Sequence, residues 1–296
     1  MDTSEHRRFV EFCDACRKYR YIGLCYGPPG VGKTLSARQY SRIDAFAAID
    51  PWLDPPPELP GPDTVFYTTE VINTPARITT DLLKARSRLT AIAVWPIEQE
   101  ERIALEEIRV RDEARRREIM EKPGSSPCDR PAVDPIYFQT YQSYKAKKKQ
   151  VADPTSLIVV DEADRLQMNS LEQMRSIFDD GYLGMILIGM PGIEKRIARF
   201  PQLYSRIGFV HEFRPLGDVE MQELFERRWT PAGVRFPEGT LTPEVIARLI
   251  RITSGNLRLL TKLLTQIERV LSVNETPQVS VQIVEAARDS LVIGQA

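Results

Sequence analysis

The sequence predicts an α/β fold: a parallel sheet flanked by helices, followed by a small all-helical subdomain. Three observations predict it. The stretch "LCYGPPGVGKTLSARQY" (24–40) begins as a buried strand, breaks into glycine and proline, and resumes as a helix. Strand-like and helix-like runs then alternate at the spacing of βαβ units. From Asp218 onward no run is β-rich, and apolar residues recur at helical spacing in four segments.

In order along the chain, residues 5–19 read as a helix with Phe9, Phe12, Cys13 and Cys16 on one face. Cys13 and Cys16 form a C-x-x-C, which raises zinc or redox chemistry. With no second such pair and only His6 and His211 as histidines, packing as small hydrophobes is the reading preferred. The run "YIGLCY" (21–26) is a short β-type strand. The residues after it, Gly27, Pro28, Pro29, Gly30, Val31, Gly32, Lys33, Thr34 and Leu35, contain G-x-x-x-x-G-K-[ST]. In such a loop backbone N–H groups wrap phosphates, the lysine reaches the β- and γ-phosphates, and the threonine holds Mg²⁺. The following helix presents its positive dipole end to the same anion. ATP and Mg²⁺ are therefore the expected cofactors.

Proline density makes Asp50–Asp63 a surface loop. "TVFYTTEVI" (64–72) reads as a strand, and 74–89 as a helix with Pro75 in its first turn. Residues 96–123 are dense in Glu and Arg with a thin apolar stripe at Ile103, Leu105, Ile108 and Ile119, the pattern of a solvated charged helix. "KPGSSPCDRPAVDP" breaks it as a linker. Tyr137, Phe138, Tyr141 and Tyr144 then run into Lys145, Lys147, Lys148 and Lys149. Two readings stand side by side: rings and cations contacting a nucleic-acid backbone, or a helix end whose lysines complement the dipole.

"SLIVVDEADRL" (156–166) is an apolar strand ending in carboxylates at the edge of the sheet where ligands of open α/β sheets bind. Asp161 suits the magnesium shell, and Glu162 suits orienting or deprotonating an attacking water. In "NSLEQMRSIFDD", Ser170 and Gln173 read as a capping box, with Leu171, Met174 and Phe178 on one helical face. "LGMILIGMP" (183–191) supplies another strand. Arg196, Arg199 and Arg206 follow, and Arg206 precedes a further strand. An arginine placed there reaches a neighbouring subunit's γ-phosphate or makes a structural ion pair. Arg258 stands in the first turn of a helix, where a cation is unfavourable unless an anion compensates it.

The 296 residues allow one or two domains. The division expected is 1–216 for the nucleotide-binding part, with a charged insert at about 96–150, and 217–296 for the helices. Lys+Arg 40 against Asp+Glu 41 leaves the net charge at −1, so any basic surface must be local. No apolar run approaches the length of a membrane span and the first residues are too polar for a signal peptide, so no membrane partner and a cytoplasmic location are expected.

Taken together, "GPPGVGKT", "LIVVDEAD", "LYSR" and "GNLR" resemble the AAA+ P-loop NTPases over about two thirds of the chain. Within them, the run from "VVDEADRL" to "LYSRIG" is similar to the DNA-transposition ATPases, the phage Mu B, TnsC, TniB and IstB types. That resemblance implies an ATPase that oligomerises on double-stranded DNA as a ring or helical filament and delivers target DNA to a transposase. It carries over Lys33 and Thr34 as phosphate and Mg²⁺ ligands, Asp161 and Glu162 as Walker B, Arg206 as a finger acting in trans and Arg258 as sensor 2. It points to Arg77 and Lys84 for DNA, beside Lys145, Lys147, Lys148 and Lys149. Two departures stand out. The tip of the strand ending "LIGMP" offers only Gly189 and Met190 where a polar sensor 1 is usual, which implies slow hydrolysis. With about 20 residues ahead of the first strand, no helix-turn-helix module like that of the Mu protein is expected there. The alternative reading is a secretion or defence switch that uses the insert as an arm for a protein partner.

Overall fold

The apolar runs of the sequence assemble into one five-stranded sheet. The computed structural model describes residues 3–49, 61–121, 135–236, 239–274, 276 and 278–291. Helix α1 (Ser4–Tyr19) leads into β1 (Ile22–Tyr26), α2 (Lys33–Ser41), α3 (Ile43–Ala47) and β2 (Thr64–Thr68). Two long helices follow, α4 (Pro75–Met120) and α5 (Pro135–Gln150). Next come β3 (Leu157–Asp161), a 3-10 turn over Ala163–Arg165, α6 (Met168–Gly181) and β4 (Gly184–Gly189). After α7 (Ile193–Ile197), α8 (Pro201–Tyr204) and β5 (Ile207–Glu212), the chain is helical: α9 (Asp218–Glu226), α10 (Pro243–Thr253), α11 (Leu257–Val273) and α12 (Val281–Asp289).

The strand order is β2-β3-β4-β1-β5, and β3–β4, β4–β1 and β1–β5 pair in parallel. β3 and β4 are buried along their whole length, as continuous apolar strands covered on both faces must be. The edge strand β5 alternates between half-buried and exposed residues. Because β1 and β3 flank β4, the loop after β1 and the carboxylates after β3 emerge at the same edge, one strand apart.

By contact density the chain forms two compact units. The first, Met1–Ser41, Phe66–Ile78 and Leu157–Ala296, holds most of the sheet together with the C-terminal helices. In its core α1 lays Phe9, Phe12, Cys13 and Cys16 against Cys25, Leu157, Val159, Ile186 and Ile188. The C-x-x-C is thus packing: its thiols are free and buried, and burial pushes that of Cys16 up to about 12 and that of Cys13 well up. The C-terminal helices close on their own core, in which Met221, Leu249, Leu260, Leu264, Ile267 and Val284 meet.

The second unit, Arg42–Val65 and Thr79–Ser156, contains most of α4 and all of α5. Arg86 pairs with Asp153 at 2.6 Å and Glu101 with Lys148 at 2.6 Å, so the returning segment runs antiparallel to α4.

Three local expectations are corrected. The segments 74–89 and 96–123 are one 46-residue helix that continues through Pro96. A proline in a helix interior costs about 3 kcal/mol, and here the buried Leu89, Trp95 and Ile108 on either side offset it. The strand expected over 64–72 stops at Thr68, after which Thr69 N–H bonds the Asp161 carbonyl at 2.9 Å and Asn73 ties the loop to the Arg165 carbonyl at 2.9 Å. Ser170 is a fully buried residue inside α6, whose N-cap is Gln167, so the capping box is absent. Most of the loop 50–63, the linker 122–134 and Cys128 lie outside the described residues. Among the described residues no helix is long and apolar enough to cross a membrane.

Candidate nucleotide-binding site

The phosphate loop takes its shape from glycine. Gly30 lies at φ +82°, the left-handed region where a side chain is strained, and a Cβ there would fall 2.4 Å from Asn256 Oδ1. Helix α2 begins at Lys33, so its unpaired first N–H groups face the loop, the geometry that favours an anion. The Lys33 ammonium is buried and donates to the Gly27 and Pro28 carbonyls at 2.5 and 2.8 Å. Burial lowers its pKa, while Cys25, Asp161, Asp164 and Glu162 oppose the shift.

On the far side of β4, Asp161 is buried at the end of β3. Its carboxylate accepts from the Thr34 hydroxyl and, at 3.0 Å, from the Glu162 N–H. Burial nevertheless raises its pKa above the ordinary carboxylate value. Glu162 stands at φ 56°, ψ 39°, a left-handed conformation that costs a non-glycine residue about 1 kcal/mol or more. This sharp turn leads directly into the 3-10 turn. Its carboxylate lies 3.7 Å from Arg165. Arg196 donates to the carbonyls of Asp164 and Leu166 and so clamps that turn to α7.

The C-terminal helices complete the site. Arg258, the second residue of α11, donates its backbone N–H to the Gly30 carbonyl at 3.0 Å. Asn256 caps the same helix by accepting from Leu259 N–H at 3.0 Å, and its amide donates to the Pro29 carbonyl at 3.0 Å. Between loop, strand ends and α11 lies a cavity of about 380 Å³, within the range of small-molecule sites. Lys33, Thr34, Asp161, Glu162 and Arg258 all line it.

Asp164, Arg38, Trp229 and Thr261 line it too, and sequence reasoning passed over them. Asp164, three residues after Asp161, had a usable signal. So had Asn256, an N-cap residue behind a glycine. Trp229 and Thr261 reach the cavity through tertiary packing alone.

The other candidates lie elsewhere. Arg206 is not among the cavity's lining residues: its guanidinium pairs with Asp179 and with the Gln202 carbonyl. Arg77 pairs with Glu70 at 2.9 Å, in the open. Lys84 is exposed on α4. On α5, Lys148 is turned toward Glu101, Lys147 lies over the Tyr144 ring, and Lys145 and Lys149 are exposed.

The fold is that of an AAA+ P-loop NTPase. The structure of Cdc6p from Pyrobaculum aerophilum superposes on all of this chain and 69% of its own length, with a TM-score of 0.59 at 12% identity. The ORC1 protein of Aeropyrum pernix, solved in complex with DNA, gives 0.54 at 18% identity over 98% of this chain. This chain spans 65% of that ORC1 protein. The RuvB Holliday junction branch migration motor of Thermotoga maritima gives 0.53 at 13% identity, covering 99% of this chain and 71% of RuvB. The chain itself belongs to the AAA domain family, whose model matches residues 16–197. A Staphylococcus aureus protein described as "Potential ATP-binding protein" is 37% identical over 302 residues, 99% of this chain and 97% of that protein.

Proposed function

We propose that this protein is an ATP-dependent switch that assembles on double-stranded DNA, as a ring or helical filament, and delivers target DNA to a transposase. The observation that carries the reading is the convergence of Lys33, Thr34, Asp161, Glu162 and Arg258 on one cavity. Lys33 would leave its own loop carbonyls for the β- and γ-phosphates. Glu162 would accept the proton of the attacking water, and Arg258 would close over the phosphates from α11. A buried carboxylate already bonded to a threonine hydroxyl is an oxygen donor set short of positive charge, which suits Mg²⁺. Thr34 and Asp161 would hold the ion, which neutralises charge on the phosphates. The helices from 217 onward then act as a lid on a nucleotide-binding part formed by 1–216, and Arg206 of one copy reaches the pocket of the next.

The DNA and transposase parts rest on the resemblance of the segment 159–208 to the transposition ATPases. They also draw on the DNA-directed roles in the names of the ORC1 and RuvB structures. The α5 helix lends a surface, since it has four lysines and no acidic residue; Arg77 and Lys84 are further candidates. We place this activity in the cytoplasm.

A second reading, a switch that grips a protein partner with the insert, is favoured by apolar residues left in the open on the arm. Ile103, Val110 and Phe138 are 59%, 55% and 64% exposed.

Sedimentation with ATP, ADP and a slowly hydrolysed analogue, with and without duplex DNA, tests the two. ATP-dependent, salt-weakened, sequence-independent assembly on DNA is expected. Assembly indifferent to DNA at low salt would favour the protein-partner reading.

A further inference from the structure

The tip of β4 sits between the phosphate loop and the carboxylates of β3, yet its own residues, Gly189 and Met190, bring no polar side chain to the cavity. Asp164 fills that place from the neighbouring turn. Both of its carboxylate oxygens accept the Met190 N–H, at 3.1 and 2.9 Å. The turn that carries it is clamped by Arg196 through the Asp164 and Leu166 carbonyls. Gly189 makes the approach possible: a Cβ there would fall 2.8 and 2.9 Å from the two Asp164 oxygens and 2.5 Å from Ile193. Asp164 also shares the cavity with Lys33, Asp161 and Glu162.

We propose that Asp164 is a positioning residue for hydrolysis, its anchored carboxylate orienting the attacking water from the β4 side while Glu162 takes the proton. The inference rests on the ATPase reading above. A carboxylate has about four lone-pair sites, and the N–H groups of Met190 and of Asp164 itself leave acceptors for a water hydrogen. In the step itself the water oxygen bonds to the γ-phosphorus, and the bond from that phosphorus to the β-γ bridging oxygen breaks with its electron pair leaving on ADP. The water proton passes to Glu162 and then to the products, and Asp164 ends as it began. Burial and the neighbouring Glu162 raise the pKa of Asp164, while the Met190 N–H and the Lys33 ammonium work against that rise.

The test is Asp164→Asn, which retains an oxygen for the Met190 N–H and loses an acceptor and the charge. Single-turnover hydrolysis is measured beside the affinity for a fluorescent ATP analogue and the melting temperature. The expected result is a fall in rate of about 10- to 100-fold, the scale of a lost water-orienting group, with affinity within about threefold and melting not lowered. Gly189→Ala, which pushes the carboxylate aside, should lower the rate in the same way. Wild-type turnover in Asp164→Asn, or a rate loss matched by an equal loss of affinity, overturns the proposal while leaving the ATPase reading intact. A wild-type rate no higher than that of Glu162→Gln sinks both.

Discussion

Arg206 and Asp179 lie 27 positions apart and meet as a two-pronged ion pair, with Nη2 2.7 Å from one carboxylate oxygen and Nε facing the other. Within one chain this arginine is occupied, and Arg175 binds the same carboxylate. The Arg206 guanidinium holds the Asp179 pKa below its ordinary value. A depressed carboxylate contributes stability above its unfolded pKa and loses it as pH falls through the folded one, so the pair stands throughout the neutral range. If Arg206 serves a neighbour, it must exchange Asp179 for a phosphate.

Arg206→Ala should therefore leave nucleotide affinity of the isolated chain within about threefold, while assembly-dependent turnover falls by more than about tenfold, short of the 10³ to 10⁵ seen for arginines that complete such sites. Asp179→Ala removes the competing anion and should raise that turnover. Melting should barely move in Asp179→Ala, since partly exposed ion pairs contribute little. Steady-state hydrolysis across protein concentration checks both.

Asp161→Asn should separate stability from function. Because burial raises its folded pKa, Asp161 favours the fold when protonated, and that contribution is lost as pH rises from the unfolded value through the folded one. At neutral pH the charged form is a liability. The amide should raise the melting temperature at neutral pH and abolish Mg²⁺-dependent hydrolysis. Calorimetry at pH 7 checks the first and phosphate release the second.

Asn256 predicts a split between two substitutions. Asn256→Ala loses both the helix cap and the bond to Pro29, and should cost about 1 kcal/mol of stability together with nucleotide affinity. Asn256→Asp keeps an acceptor for Leu259 N–H but no donor for Pro29, so stability should be retained while affinity falls. Thermal melting and nucleotide titration read the two effects.

The three described cysteines should resist alkylation. Cys13, Cys16 and Cys25 are buried with thiol pKa values pushed up by desolvation, so little thiolate forms near pH 8. Iodoacetamide followed by mass spectrometry should label them in denaturant and leave them unlabelled in buffer. Chelators should leave the melting temperature unchanged.

On α5 the lysines should divide. Lys145→Ala and Lys149→Ala, both exposed, should each lower the salt slope of DNA binding by about one. Lys148→Ala should act on the arm instead, because it leaves the buried Glu101 unpaired. Binding titrations at several salt concentrations distinguish them.

Features written in consecutive residues were readable from the chain alone: the loop at 27–35, the apolar strand ending in Asp161 and Glu162, and the four C-terminal helices. That 74–89 and 96–123 form one element was not legible, because the helix continues through Pro96 with Trp95 buried beside it, a matter of tertiary packing. Ser170 misled for a different reason. It has a capping residue's chemistry, but α6 begins two residues earlier at Met168 and the core takes Ser170 in. The bonds from Asn256 to Pro29 and from Met190 to Asp164 join residues 227 and 26 positions apart, and no periodicity encodes them.

The stitching of Pro29 and Gly30 to the first turn of α11 has a mechanical consequence. This helix is a rod of 17 residues, about 25 Å long, held at one end by the backbone of the phosphate loop. By geometry alone, a tilt of a few degrees at that end would sweep the far tip by ångströms, so any small rearrangement of the loop backbone would be magnified along the helix.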